Sequence, residues 1–394
     1  MWKQFYRMEC GVQHYAWGGR THNGRPPFIA DLIGKLHVDE DQPFAELWIG
    51  AHEKMPAAVC IDGERRPLNT LIAEQPEPIL GTALTDCGIK TLPFLLKVLN
   101  CERALSIQAH PDKKAAEKLH RNDPEHYPDN NHKPEIAIAV TEFDALCQFR
   151  PHRDIQADLQ RHPQLAALFK NQLTGEALED DAWLKKAYAR LFAAPDDEMQ
   201  GTLKALYERV TALLRRSRED QWLLRLLDQF PGDRGALSVY FLNYLRLRPG
   251  EALFLAANEP HAYLDGVIIE CMANSDNVVR AGLTPKFIDR QVLLDMLSYH
   301  EGAPAVWPGE AAGNGRRQYA VPVPEFEIEV FDCDTGSVQQ TAADDRVSLL
   351  LVLSGAVELR SPHAPALYAG RGTTWLWPAA LTDAEIAFIE NGTE

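Results

Sequence analysis

Ser106, Gln108 and His110 recur at a two-residue step, the spacing that puts side chains on one face of a β-strand, while Leu105, Ile107 and Ala109 take the other face. A second polar pair, Lys133 and Glu135, follows in Asn-His-Lys-Pro-Glu, and a third, His261 and Tyr263, in Glu-Pro-His-Ala-Tyr. Brought into one pocket, Gln108, His110, Glu135 and His261 would offer an amide oxygen, two imidazoles and a carboxylate. That donor set suits zinc with room left for a substrate, and on its chemistry alone it leaves iron and manganese open. A single histidine in a strand is commonly no more than a hydrogen-bonded structural group, so the reading depends on these segments converging.

The elements that must position them follow from the pattern of the chain. Residues 1 to about 150 alternate short apolar runs with Gly, Pro and Asp turns, as in Ala57-Ala-Val-Cys-Ile-Asp-Gly63, which favours a β-rich region. Pro111-Asp112 is a helix start, with helix formers from Lys114 to Leu119. From about 152 to 230 apolar residues repeat at three- and four-residue steps: Ile155, Leu159, Leu165, Leu168 and Phe169, then Trp183, Leu184, Tyr188, Leu191 and Phe192, then Leu203, Leu206, Val210, Leu213 and Leu214. Arg215-Arg216 reads as a solvated face of that helical run. Strand alternation resumes near Val239, breaks at Pro249-Gly250 and leads to Pro260-His261, the layout of a jelly-roll hairpin that delivers a histidine to a metal. Residues beyond about 320 again read as strands and turns, a shorter barrel without a ligand set. The expected class is mainly β with inserted α: jelly-roll barrels plus a helical subdomain. The expected domains are 1–151 with 235–318, an inserted 152–234, and 319–394.

At 394 residues, with 45% apolar and 24% charged composition, the chain has material for a sizeable core. A net charge of −16 argues against a general nucleic-acid or anionic-membrane surface, and makes Lys97, Lys133, Arg280 and Lys286 notable as the makings of a local basic pocket. Seven cysteines without a CxxC pair read as reduced thiols. The charged, polar start lacks the apolar run of a signal peptide and no segment approaches a membrane span, so a cytoplasmic protein, a monomer or weak homodimer, is expected.

Leu92-Pro-Phe-Leu-Leu-Lys-Val-Leu99, Ser106-Ile-Gln-Ala-His-Pro-Asp-Lys113, Asn131-His-Lys-Pro-Glu135 and Ala273-Asn-Ser-Asp-Asn-Val-Val-Arg-Ala-Gly-Leu-Thr-Pro-Lys286 closely resemble, in order, the signatures of type I mannose-6-phosphate isomerases. Gln13-His-Tyr-Ala-Trp-Gly18, Pro43-Phe-Ala-Glu-Leu-Trp-Ile-Gly-Ala-His52 and Phe143-Asp-Ala-Leu-Cys-Gln-Phe-Arg-Pro151 extend the resemblance, which spans roughly residues 10 to 300. It implies cupin barrels, one zinc ion per chain held by Gln108, His110, Glu135 and His261, and an aldose-ketose isomerase that interconverts mannose 6-phosphate and fructose 6-phosphate. Such an enzyme would feed glycolysis or the supply of mannose units, as in GDP-mannose biosynthesis. One departure is Ala57, where relatives often carry a hydroxyl residue; phosphate help from that loop is then lost.

Such a reaction opens the sugar ring, moves a proton between C2 and C1 and stabilises negative charge on two oxygens. Lys133 shares the parity of Glu135 and is the first choice of proton carrier, provided neighbouring cations and burial destabilise its charge; Glu270 is the competing base. Arg280, permanently protonated, supplies a fixed positive group, and the resemblance puts it at a catalytic position. The resemblance alone assigns His132 and Asp276 to ring opening. It also points to Lys97, Ser106 and Lys286 for the phosphate, with Tyr263 beside them among the substrate-binding residues. The partner expected is a small phosphosugar, with no nucleic acid and no membrane. Two other readings stand beside this one: a sugar-phosphate-binding cupin without catalysis, and a cupin oxygenase needing open positions on iron, against which the Gln ligand and the Lys-Arg pocket argue.

Overall fold

The computed structural model describes residues 2–35, 37–173, 180–340 and 345–390. They form a mainly β protein whose longer helices gather between His152 and Gln229, as the sequence pattern predicts. The chain divides into two compact units, Met1–Asn100 with Val267–Asn274 and Trp307–Glu394, and Cys101–Gly266 with Ser275–Val306.

In the first unit, a five-stranded antiparallel sheet runs in the order Ser348–Leu351, Thr374–Trp377, Tyr6–Glu9, Ala58–Ile61, Glu64–Pro67. The start of the chain therefore shares a sheet with its C-terminal strands, a pairing that alternation of apolar residues cannot reveal. A four-stranded sheet of Val338–Gln340, Glu385–Glu390, Ala356–Ser361 and Ala364–Gly370 completes this β region, and Phe5, Leu359, Trp375, Trp377 and Ile386 form its core. Strands Gly11–Gln13, Glu46–Ile49 and Phe94–Cys101 pair antiparallel, with Trp48 opposite Lys97. Short helices at Phe28–Leu32, Leu68–Glu74, Pro76–Leu80 and Thr82–Thr85 interrupt what the sequence reads as plain strands and turns. They are of seven residues or fewer, too short to show a helical period.

The second unit is built on antiparallel strands in the order Val279–Gly282, Ile107–Ala109, His261 onward, Phe143–Phe149, Leu242–Leu247. Glu135–Ala139 pairs with Ala252–Leu255. Gly250, with φ of 82°, makes the turn between Leu242–Leu247 and Ala252–Leu255 that the Pro-Gly pair announces. Asp112 caps the helix Lys113–Asn122, its carboxylate accepting from the Ala115 amide at 2.8 Å.

Helices His152–Arg161, Pro163–Leu173, Asp180–Ala193, Asp196–Ala212 and Arg218–Gln229 bury the predicted apolar stripes in one cluster. Ile107, Ala109, Phe149 and Val279 belong to the same cluster, so the helical insertion covers the apolar face of the strand whose other face carries Gln108. Tyr188 meets Phe149 edge-on at 5.1 Å between centroids, and Phe169 meets Phe241 at 5.6 Å. Phe169→Ala is expected to cost about 3–5 kcal/mol of unfolding free energy, measured by urea denaturation; a loss below about 1 kcal/mol would show that the helices do not hold this unit together.

The helical run ends earlier than its pattern implies. Helix Asp196–Ala212 stops before Leu213, Leu214 is fully exposed, and Arg215-Arg216 lies in a loop rather than on a helix face. Arg216 turns back to donate to the carbonyl of Thr211 and to that of Val210, which also accepts from the Leu213 amide, closing the last turn. Ser217 and Asp220 then open the next helix with a reciprocal capping box.

Candidate metal centre

All four predicted ligands lie in the second unit, and backbone register aligns two of them. Gln108 sits opposite Arg280 on one side and opposite His261 on the other, so three neighbouring strands present these side chains in one row. Glu135 starts the strand Glu135–Ala139 and His110 directly follows Ile107–Ala109.

His110, Glu135 and His261 are buried, 1% exposed or less, and their ligating atoms lie within 4.8 Å of one another. Backbone carbonyls fix both imidazoles. His110 Nδ1–H donates to the Asn277 carbonyl at 2.7 Å and His261 Nδ1–H to that of Glu259 at 3.0 Å, which leaves each Nε2 as a lone-pair nitrogen. These two nitrogens stand 3.5 and 3.6 Å from Glu135 Oε2. Neither His110 Nε2 nor Glu135 Oε2 has a hydrogen-bond partner. His110 Nε2 and Glu135 Oε2 are buried acceptors that face each other without a donor, with His261 Nε2 beside them, an arrangement that is unstable unless a cation or a proton joins them, so the donor set fits a metal ion.

The Gln108 amide borders this cluster. Its nitrogen lies 3.4 Å from His261 Nε2, and its oxygen accepts from Ser106 Oγ at 3.3 Å. A half-turn of the amide exchanges its ends and directs the oxygen at the cluster.

Burial alone would raise the Glu135 carboxyl, but Lys133 and the two imidazoles more than offset it and hold it well below the usual range. Lys133 Nζ lies 2.7 Å from Glu135 Oε1, so the predicted proton carrier is paired with the predicted ligand. Burial, then the neighbouring His110, pulls His261 down from 6.5 to about 4 against the pull of Glu135. The unfolded chain takes up this proton near 6.5 and the folded one only near 4, so the stability held by the neutral imidazole is complete above 6.5 and lost as pH falls toward 4. After chelator treatment, the melting temperature should therefore drop across that interval, less steeply in His261→Asn; a protein that gains stability on acidification would contradict this geometry.

Arg280 is half-buried and, among the described residues, has no hydrogen-bond or salt-bridge partner; burial draws its pKa down from the ordinary value. A guanidinium in a sheet row beside a ligand set, with no carboxylate of its own, is a ready anion receptor. Tyr263 is buried with its ring 6.0 Å from His261 and 5.4 Å from Phe143. His132 and Asp276 occupy half-buried loop positions, and the Asp276 amide donates to Asp129 Oδ2 at 2.7 Å. Lys286 is exposed, its amide donating to Thr284 Oγ1.

Lys97 and Glu270 lie in the first unit, where Lys97 Nζ is 3.0 Å from Glu270 Oε2 and 3.6 Å from Glu46 Oε2. Trp48 Nε1–H donates to Glu46 at 2.5 Å and its ring lies under the ammonium at 5.4 Å. Sequence reasoning gave Glu46 no role, although a carboxylate between Ala45 and Leu47 in an apolar run was the available signal. The carbonyls of Asn277 and Glu259 had none, because any residue type supplies a carbonyl.

Residues 5–152 match the profile of the family "Phosphomannose isomerase type I, catalytic domain", and residues 160–242 that of "Phosphomannose isomerase type I, helical insertion domain". The mannose-6-phosphate isomerase of Bos taurus is 40% identical over 392 residues, which cover 92% of this chain and 90% of the relative. That of Homo sapiens is 40% identical over 91% of this chain and 89% of the relative. Among solved structures, a variant of phosphomannose isomerase from Salmonella typhimurium superposes with TM-score 0.89 at 29% identity, covering 99% of this chain and 97% of that one. A zinc-bound mannose 6-phosphate isomerase does so with TM-score 0.87 at 30% identity and the same coverage. With its β architecture, its helical insertion and both profiles matched in order, the chain belongs to the type I phosphomannose isomerase family of cupin fold.

Proposed function

We propose that this chain is a zinc-dependent aldose-ketose isomerase that interconverts D-mannose 6-phosphate and D-fructose 6-phosphate through a cis-enediol(ate). The observation that carries the reading is the row of Arg280, Gln108 and His261 beside the buried acceptors of His110 and Glu135. It puts an unpaired guanidinium next to a site that demands a cation, in a chain otherwise strongly acidic. Isomerase relatives at 40% identity over nine-tenths of the chain support the same activity.

Gln108, His110, Glu135 and His261 would hold the zinc, which when bound acts as a Lewis acid toward the sugar oxygens. Arg280 neutralises charge gathering on O1 and O2 as the enediolate forms, and its rigid fork orients both oxygens. Lys133 moves the proton between C2 and C1, with Glu270 the alternative carrier. His132 and Asp276 open the ring, one donating to the ring oxygen and the other accepting from the O1 hydroxyl. Lys97, Ser106 and Lys286, with Tyr263, grip the phosphate end, so that binding energy is spent on orientation. Among the described residues no helix is long and apolar enough to cross a membrane.

The test is turnover of mannose 6-phosphate in a coupled assay before and after chelator treatment, with zinc added back. Activity lost to the chelator and restored by zinc is the expected result. A folded, zinc-loaded sample without turnover would overturn the reading.

A further inference from the structure

His110 can present a lone pair to the site only while its other nitrogen is held, and the holder is the carbonyl of Asn277, on a loop rather than a regular strand. The Asp129 side chain gathers most of the bonds that hold that loop, and the Asn131 carbonyl adds two, accepting from Ser275 Oγ at 3.2 Å and from Asn277 Nδ2 at 2.9 Å. Asp129 Oδ1 accepts from Ser275 Oγ at 2.8 Å, from Asn277 Nδ2 at 3.0 Å and from the Asn131 amide at 2.9 Å; Oδ2 accepts from the Asp276 amide at 2.7 Å. The Asp129 carbonyl takes a further bond from Asn277 Nδ2 at 2.7 Å. Ser275 and Asn277 are buried, so these bonds are not exchanged cheaply for water.

The carboxylate thus ties two segments together. One runs from Asn131 through His132 and Lys133 to Glu135; the other runs from Ser275 through Asn277, which holds His110, to Arg280. We propose that Asp129 is a positioning residue of the metal centre, setting the distance between the Glu135 ligand and the outer support of His110. This rests on the zinc reading above. Asp129 touches none of the three clustered ligands; it acts through the loop that orients one of them and the turn that leads to another.

Asp129→Asn tests it, because the amide keeps the shape but can satisfy only one side: its NH2 must face either the Asp276 amide or the three donors at Oδ1. The expected result is a zinc dissociation constant, measured by competition with a chromophoric chelator, raised roughly 10–100-fold, as for other outer supports of metal-bound histidines. The melting temperature of the chelator-treated protein should stay within about 2 °C of wild type, a shift on the order of 1–2 kcal/mol for a chain of this length, and kcat at saturating zinc should recover to within about threefold, under 1 kcal/mol of barrier. Zinc affinity equal to wild type would overturn the clamp and leave the function intact. Should Asp129→Asn melt far lower, Ser275→Ala, which removes one of the four donors to the carboxylate, takes its place, and unchanged zinc affinity there would overturn the clamp equally. Failure of the wild-type chain to bind zinc or to turn over mannose 6-phosphate would instead overturn the functional reading on which the clamp rests.

Discussion

Glu135→Gln protein is expected to purify without stoichiometric zinc and to isomerise mannose 6-phosphate more slowly than wild type by on the order of a thousandfold or more. The magnitude follows from the several kcal/mol of charge stabilisation that a Lewis acid provides, at about 1.4 kcal/mol for each factor of ten. Glutamine is chosen over alanine because it fills the same fully buried volume. Alanine would also leave the buried Lys133 ammonium, 7% exposed, without the oxygen that glutamine still offers as an acceptor, and confuse loss of metal with loss of fold. The two readouts are metal content by atomic emission and turnover in the coupled assay. Full zinc occupancy with normal turnover would remove the site.

Arg280→Ala should behave differently. Its side chain lies in the row of Gln108 and His261 but is not part of the donor set, so zinc stoichiometry should stay at the wild-type value while kcat falls by on the order of 10²–10³, the effect of removing one preorganised donor from a developing oxyanion. KM should change less than kcat if the guanidinium meets charge that exists mainly in the transition state. Arg280→Lys should recover little, since an ammonium cannot reproduce the planar fork. If kcat survives in Arg280→Ala, or falls only in step with zinc content, the proposed role is wrong.

Much of the site was legible because strand parity is a strong local rule. Ser106-Ile107-Gln108-Ala109-His110 separates into ligand side and core side by inspection, and Ile107 and Ala109 do pack into the helical cluster, fully buried. The helical stripes were equally readable until their end, where Leu213-Leu214-Arg215-Arg216 kept the period but not the helix. Periodicity reports which residues would share a face if a helix continued, and nothing in it registers Arg216 capping the last carbonyls. Pairings between distant strands were illegible for another reason. That Gln108 faces Arg280 and His261, or that Tyr6 faces Leu376, depends on register across more than a hundred residues of intervening chain. The Lys97–Glu270–Glu46 cluster has the same origin, since its carboxylates come from strands far apart in sequence and their commitment to one ammonium is visible only in space.

The strand Ile107–Ala109 is only three residues long, yet one side of it carries Gln108 beside the candidate metal cluster and the other is packed beneath the helices. A slip of a single residue would turn the amide and imidazole into the hydrophobic cluster and expose the apolar pair, so both properties would fail in one step. Insertions and deletions between Cys101 and Pro111 should therefore be far more damaging than substitutions there. A deep insertion-deletion scan of the gene should show a sharp trough of tolerance over this stretch, flanked by permissive loops.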